Sequence, residues 1–434
     1  MLDGPLQINS FFIVMRLDSL NWKNPMAYGT RVLFVDDDPV LLENLQAAMA
    51  DMAKDWDMVF LGTGQEGLAA LAEAPFDVVV SDLWMPGMNG AEFLWEVQAR
   101  CPGCVRFILS SSSDRDLAVQ LVERAHQFLA KPCRPDFLKT AIGRALNLGS
   151  KVHNERAREL VARIGQLPAI PSLYLEINAL LESNRATLEN LGRVIGKDAA
   201  MTSMILKLAN SAFFNLRATV STITEALPYL GVDLLKSLVL AHGLFNQMAF
   251  FRTPGFSIDH LWRHSLTVAG TAQRIAEAES VGSLRAAECF TAGILHDVGI
   301  LLLASRFPDE YQRVLATNLA EGSDLESAEH HVLGASHCEV GSYLLGLWGL
   351  PTPIVQAAAW HNHPRHHEGE GFTPTIAVHV ANALRACDHV HDVFDRATLD
   401  EAYLTEIGLG QRLKPWRSAA LAGSAARLVK SGSD

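Results

Sequence analysis

With 434 residues, 49% of them hydrophobic, the chain is long enough for two or three domains and too apolar to be largely disordered. A net charge of −12, without a basic stripe interleaved with aromatics, excludes a broad electrostatic footprint for nucleic acid. No apolar run reaches the ~18 residues that span a bilayer, so no membrane contact is expected, and the scattered cysteines at 101, 104, 133, 289, 338 and 387 fit a reducing cytoplasm.

Residues 1–29 read as an N-terminal extension. Their apolar patch, Phe11 to Met15, follows Asp3 rather than a basic segment, and Met26 is an equally good start. Residues 30–148 then alternate strand and helix, with strands near 31–35, 57–61, 77–81, 105–109 and 127–131. Helical spacing fills the intervals, as in Leu41, Leu42, Leu45 and Met49. The runs Val32 to Val35 and Val78 to Val80 are almost continuously apolar, as strands covered on both faces must be. This pattern predicts a doubly wound α/β domain with a five-stranded parallel sheet.

Four chemical features end these strands: Asp36-Asp37-Asp38 after the first, Asp82 after the third, Ser110 after the fourth and Lys131-Pro132 after the fifth. Ligands of open α/β sheets bind beyond the carboxyl ends of the strands, so one sheet edge gathers carboxylates, a hydroxyl and a lysine. Such a set holds a divalent metal and accepts a phosphoryl group on a carboxylate. Taken singly, each feature has an ordinary structural role; Asp36 to Asp38, for instance, suit an acidic cap before Pro39. Cys101-Pro-Gly-Cys104 is a lone CxxC and reads as a reduced helix-end loop.

Residues 149–166 form a charged helical linker with a sparse seam of Val152, Leu160, Val161 and Ile164. After Leu167-Pro-Ala-Ile-Pro171 the pattern is helical only, which places an all-α domain at 167–370. Trp360 to Gly371 is a polar tract, and residues 371–434 add helices expected to pack on that domain. Asn210-Ser211 is a helix-terminating pair with a structural role.

Residues 30–148 resemble a flavodoxin-like response-regulator receiver domain, on the ordered set Asp36-Asp37, Asp82 with Met85-Pro86 and Gly90, Ser110, and Lys131-Pro132. The resemblance implies that Asp82 accepts phosphoryl from a sensor histidine kinase or a phosphotransfer protein. It implies Mg²⁺ at Asp36, Asp37, Asp82 and the Trp84 carbonyl, with Ser110, Phe128 and Lys131 as the switch. Pro132 is expected to aim Lys131 inward, and Trp84 and Cys133 depart from the usual pattern.

The helical part resembles the HDOD domain, a relative of the HD phosphohydrolases. The carrying residues are Leu167 to Pro171, Lys197-Asp198, Ile205 to Phe213, Ile223 to Gly231, Ala292-Gly-Ile-Leu-His-Asp-Val-Gly299, His337 to Gly341, and Leu347 to Pro351 leading to His361. Imidazoles and carboxylate suit Fe, Mn, Zn or Ni, and the resemblance implies His264, His296, Asp297, His337 and His361 as the ligand set, with His330, His331 and His363 nearby. Asn382 stands where hydrolases carry a further Asp, and Ile300 where the cyclic-dinucleotide branch carries Lys. The expected output is therefore a non-catalytic interaction domain, binding a downstream signalling protein or a second copy. The alternative is a receiver-controlled, metal-dependent phosphohydrolase acting on a nucleotide or cyclic nucleotide.

Overall fold

The structure is a computed structural model that describes residues 30–101, 103–110, 125–131, 133–151, 160, 163, 168, 170–182, 186–210, 219–248, 251–321, 324–367, 369–384 and 398–430. The extension 1–29, most of the linker, Pro132 and the expected helix between the fourth and fifth strands lie outside the described residues. So do the side chains of Ser110 and Phe128.

The amino-terminal part is the doubly wound sheet that the strand–helix alternation predicts. Its elements are β1 (Thr30–Val35), α1 (Pro39–Ala48), β2 (Trp56–Leu61), α2 (Gly64–Glu73), β3 (Val78–Asp82), α3 (Gly90–Arg100), β4 (Val105–Ser110), β5 (Gln127–Ala130) and α4 (Pro135–Lys151). All pairings are parallel, in the order β2-β1-β3-β4-β5. Strand side chains alternate between faces, and here both faces are buried. Val32, Phe34, Val78, Val80 and Phe107 enter one apolar cluster; Leu33, Val35, Val79 and Ile108 enter the other.

Local chemistry fixes the helix starts. Asp38 accepts the Val40 and Leu41 N–H groups ahead of Pro39. Thr63 with Glu66, and Asn89 with Glu92, form reciprocal capping boxes. Gly90 is obligatory, because a Cβ there would stand 1.9 Å from the Asp82 carbonyl oxygen.

The remaining elements are helical: α5 (Ser172–Glu182), α6 (Leu188–Ile195), α7 (Ala199–Ala209), α8 (Ile223–Leu230), α9 (Val232–Gln247), α10 (Ile258–Ala278), α11 (Ser283–Leu295) and α12 (Val298–Arg306). They continue with α13 (Pro308–Glu321), α14 (Leu325–Leu333), α15 (His337–Leu347), α16 (Thr352–Trp360), α17 (Pro374–Leu384), α18 (Glu401–Glu406) and α19 (Leu413–Lys430). One extended apolar cluster runs through them. Asn210 caps α7, donating from Nδ2 to the Leu206 and Val220 carbonyls and accepting the Val220 N–H at Oδ1. At the other end of the chain, the fully buried Trp416 donates to Glu279 Oε1 (2.7 Å), which also binds Arg412, and so ties α19 to the end of α10.

One sequence expectation needs correcting. The run Ser283–Arg306 is long and apolar enough to cross a membrane by length and composition. It is broken at His296-Asp297 into α11 and α12, and 83% of its apolar window is buried within the protein's own core.

The two parts touch. Helix α4 packs against α15. Leu347, 1% exposed at the end of α15, is buried in the same cluster as Leu138, Ala141 and Ile142 of α4, with Tyr343 and Leu146 packed at its margin.

Candidate functional site

Among the described residues, three groups of possible metal ligands form two sites, one in each part: Asp36, Asp37 and Asp82, and the adjoining groups His264, His296, Asp297 and His337, Cys338, His361. The first lies where β1 and β3 diverge to opposite neighbours, the topological switch point of the sheet. Asp36 follows β1, Asp82 ends β3 and Lys131 follows β5. Lys131 Nζ is 2.6 Å from Asp36 Oδ2 and 2.6 Å from Asp82 Oδ1. Carboxylate oxygens of Asp36, Asp37 and Asp82 fall within 4.8 Å of one another.

Asp36 and Asp82 are buried, whereas Asp37 is exposed. Burial raises the Asp36 pKa, and the Lys131 and Asp38 donors only partly offset it. For Lys131, burial works against the ammonium, but the bonds to Asp36 and Asp82 outweigh it and raise its pKa. The ammonium is thus a fixed cation held between two carboxylates. Trp84 is 53% exposed beside the acceptor position, and Met85 is buried.

The second cluster sits where α11 and α12 meet. His296 ends α11 and Asp297 begins α12. His296 Nε2 is 3.0 Å and His264 Nε2 3.1 Å from Asp297 Oδ2. His361 Nε2 is 3.4 Å and His337 Nε2 3.5 Å from Asp297 Oδ1. All five residues predicted from the sequence therefore converge on one carboxylate, each no more than 5% exposed. Gly299 makes this approach possible: a Cβ there would stand 2.0 Å from the His337 carbonyl oxygen.

The outward ring nitrogens of His296, His337 and His361 face acceptors. His296 Nδ1 donates to the Gly293 carbonyl (2.7 Å) and His337 Nδ1 to Glu329 Oε2 (2.6 Å). His361 Nδ1 donates to the Ala357 and Ala358 carbonyls (3.2 Å each). With Nδ1 as donor, a neutral ring presents its Nε2 lone pair inward, the arrangement that orients metal-binding histidines. His264 Nε2 and His296 Nε2 are 3.2 Å apart. Two imidazoles on one tetrahedral ion, at about 2.0–2.1 Å each, would stand roughly 3.3 Å apart. The donor set therefore fits a transition metal.

The imidazoles and the carboxylate also pair by charge. Burial would raise the Asp297 pKa, but His296 and His361 hold it well below the usual carboxylate range. Burial would lower the His361 pKa, yet Cys338 and Asp297 raise it to about 9.

Three contributors escaped the sequence reading. Cys338 Sγ lies 3.4 Å from His337 Nε2 and 3.9 Å from the His361 ring nitrogens. Glu329, fully buried, accepts from the His337 N–H, His337 Nδ1 and the Tyr311 hydroxyl. Cys338 stood beside His337 in the quoted motif and was the available signal. Glu329 and Tyr311 were ordinary residues in helical runs.

The flanking histidines stay outside the buried cluster. His331 is exposed, and His330 and His363 are largely exposed with partners at 3.6 Å in Glu339 and Glu326. The polar tract after Trp360 is not uniformly solvated, since His361 is 1% exposed. Asn382 is buried, with no hydrogen-bond partner at Oδ1.

Comparison with known proteins agrees with this two-part layout. The response regulator receiver domain family matches residues 32–143, and the HDOD domain family matches residues 167–364. The chain is 26% identical over 226 residues to an uncharacterized protein of Treponema pallidum, covering 51% of this chain and 42% of that one. It is 31% identical over 168 residues to the transcriptional regulatory protein GlrR of Escherichia coli, covering 38% and 37%. It thus spans about two fifths of the length of these curated relatives. Among solved structures, an HDOD domain protein of Geobacter sulfurreducens is 25% identical with a TM-score of 0.48, over 63% of this chain and 98% of that one. The signal receiver domain of an HD domain-containing protein of Pseudomonas fluorescens is 24% identical with a TM-score of 0.26, over 28% and 96%.

The Lys131 geometry predicts a measurable cost. Replacing Lys131 by Met leaves two buried carboxylates facing each other, and roughly 2 kcal/mol of stability should be lost. That is less than a fully buried pair would lose, because Lys131 is partly solvated. Urea denaturation should show the loss, and Mg²⁺ should restore part of it by supplying a cation among the same carboxylates. Equal midpoints for the two proteins would contradict the prediction.

Proposed function

We propose that this chain, a response regulator whose receiver domain is followed by an HDOD domain, is switched by phosphorylation of Asp82 and signals through the HDOD surface. The observation that carries the reading is Lys131 held at 2.6 Å from both Asp36 and Asp82. A sensor histidine kinase or phosphotransfer protein supplies the phosphoryl group. The Asp82 carboxylate attacks phosphorus, the bond to the donor histidine breaks, and an acyl phosphate forms. Asp36, Asp37, Asp82 and the Trp84 carbonyl would hold Mg²⁺, which would supply positive charge beside the phosphoryl oxygens. Lys131 follows the transferred charge, and Ser110 and Phe128 complete the switch.

Lys131 stands four residues before α4. The phosphoryl group adds up to about two negative charges, which pull on the junction between β5 and α4. Helix α4 shares its core with Leu347 of α15, so the pull reaches the helix that carries His337. The output is a changed contact with a downstream signalling protein or a second copy in the cytoplasm, not with nucleic acid or membrane.

A second reading, a receiver-controlled phosphohydrolase, is favoured by the four imidazoles around Asp297. In it, His264, His296, Asp297, His337 and His361 would hold Fe, Mn, Zn or Ni, which would supply Lewis acidity. Glu329 orients His337 from behind, and His296 and His361 are oriented by backbone carbonyls. The burial of every ligand leaves little open surface for a phosphate ester, which supports the interaction reading over turnover.

Two experiments test these readings. Full-length protein incubated with acetyl phosphate and Mg²⁺ should gain one phosphoryl group by intact mass, and Asp82→Asn should gain none; labelling of the variant would reject Asp82. For the metal, elemental analysis should find bound ion. Glu329→Gln should weaken it by about 10–100-fold in chelator competition, and His296→Ala should lose it. Metal-free protein that binds none on titration would reject the metal site.

A further inference from the structure

We propose that Cys101 and Cys104 are a redox modification site, forming a reversible intramolecular disulfide when the protein meets a peroxide. The site lies at the amino-terminal edge of the sheet, opposite Asp82. Cys101 closes α3, its N–H donating to the Val97 carbonyl (2.7 Å). The Cys104 N–H then donates to the Cys101 carbonyl (3.0 Å). A turn closed by such a bond keeps its end α-carbons within about 7 Å, and a disulfide needs about 4.4–6.8 Å. Little movement is needed to join them.

Their environments differ in the way a dithiol pair requires. Cys101 is partly buried, with Sγ 3.7 Å from the Phe76 carbonyl, whereas Cys104 is 1% exposed. The Cys104 hydrogen bond brings the Cys101 thiol down to about 7, against the opposing effects of burial and the Asp77 carboxylate. Burial and the Cys101 bond push Cys104 well above the ordinary thiol range, with Arg106 opposing. One sulfur thus ionises near neutral pH, and the other stays a shielded thiol. The remaining described cysteines have no such neighbour: Cys133 and Cys289 are raised by burial, and Cys338 belongs to the histidine cluster.

The chemistry balances with hydrogen peroxide as oxidant. The Cys101 thiolate attacks one peroxide oxygen, the O–O bond breaks, and the departing hydroxide takes a proton to become water. This leaves Cys101 as sulfenic acid. The Cys104 sulfur then attacks the Cys101 sulfur, its proton leaving with the hydroxyl group as a second water as the S–O bond breaks. Two thiols and one peroxide give one disulfide and two waters, and an added dithiol reverses the change.

The test is a peptide map of full-length protein. Reduced protein is treated with hydrogen peroxide, alkylated under denaturing conditions and digested. The expected result is a peptide containing the Cys101–Cys104 disulfide, with both positions protected from alkylation until dithiothreitol is added. In Cys104→Ser, dimedone should label position 101; in Cys101→Ser, position 104 should stay unlabelled. Full alkylation of both cysteines after peroxide, or dimedone capture at Cys104, would overturn the proposal. The wild-type map decides the point even if a variant fails to fold.

Discussion

Helix α15 is the element on which the two halves of the molecule depend. Its first residue, His337, faces Asp297 in the buried histidine cluster, and its last, Leu347, is buried in the apolar layer under the receiver sheet. At about 1.5 Å per residue the two ends are roughly 15 Å apart. A packed interior does not deform smoothly, so a helix pinned at both ends shifts as a unit. Motion of α4 therefore has a direct mechanical route to the cluster, without a long chain of intermediates.

The two polar clusters use different physics. In the receiver, one ammonium bridges two carboxylates at a partly open edge and leaves the pair with net negative charge. In the HDOD part, one carboxylate is surrounded by imidazoles with almost no solvent. Burying such charge is costly unless its partners are satisfied, and the Gly293, Ala357 and Ala358 carbonyls and Glu329 do this from behind for His296, His361 and His337. His379 shows the contrasting case. It donates to the His361 carbonyl and accepts the Asp400 N–H, so both ring nitrogens are satisfied by backbone, and its role is to hold the turn that presents His361.

Much of this was legible in the residues because the chemistry falls at element ends. Asp36, Asp82 and Lys131 each terminate a strand, and a parallel sheet brings such ends together whatever the loops do. His296-Asp297 falls where an apolar helical run is interrupted by two polar residues, which is equally visible. The contact of Leu347 with α4 was hidden, since an apolar residue in an apolar helix carries no mark of its partner. Glu329 was hidden for the opposite reason: a glutamate among charged neighbours reads as solvent-facing, and only the packing of α14 against α13 and α15 turns it inward. His361 was half-hidden, because the polar residues that follow it made the whole tract look solvated.

The most direct test of the account is amide hydrogen exchange across α4 and α15, with and without beryllofluoride and Mg²⁺, in the full-length protein and in Asp82→Asn. The account predicts that protection of both helices changes in the unsubstituted protein and stays constant in the variant. An unchanged α15 in the unsubstituted protein, or the same change in Asp82→Asn, would contradict it.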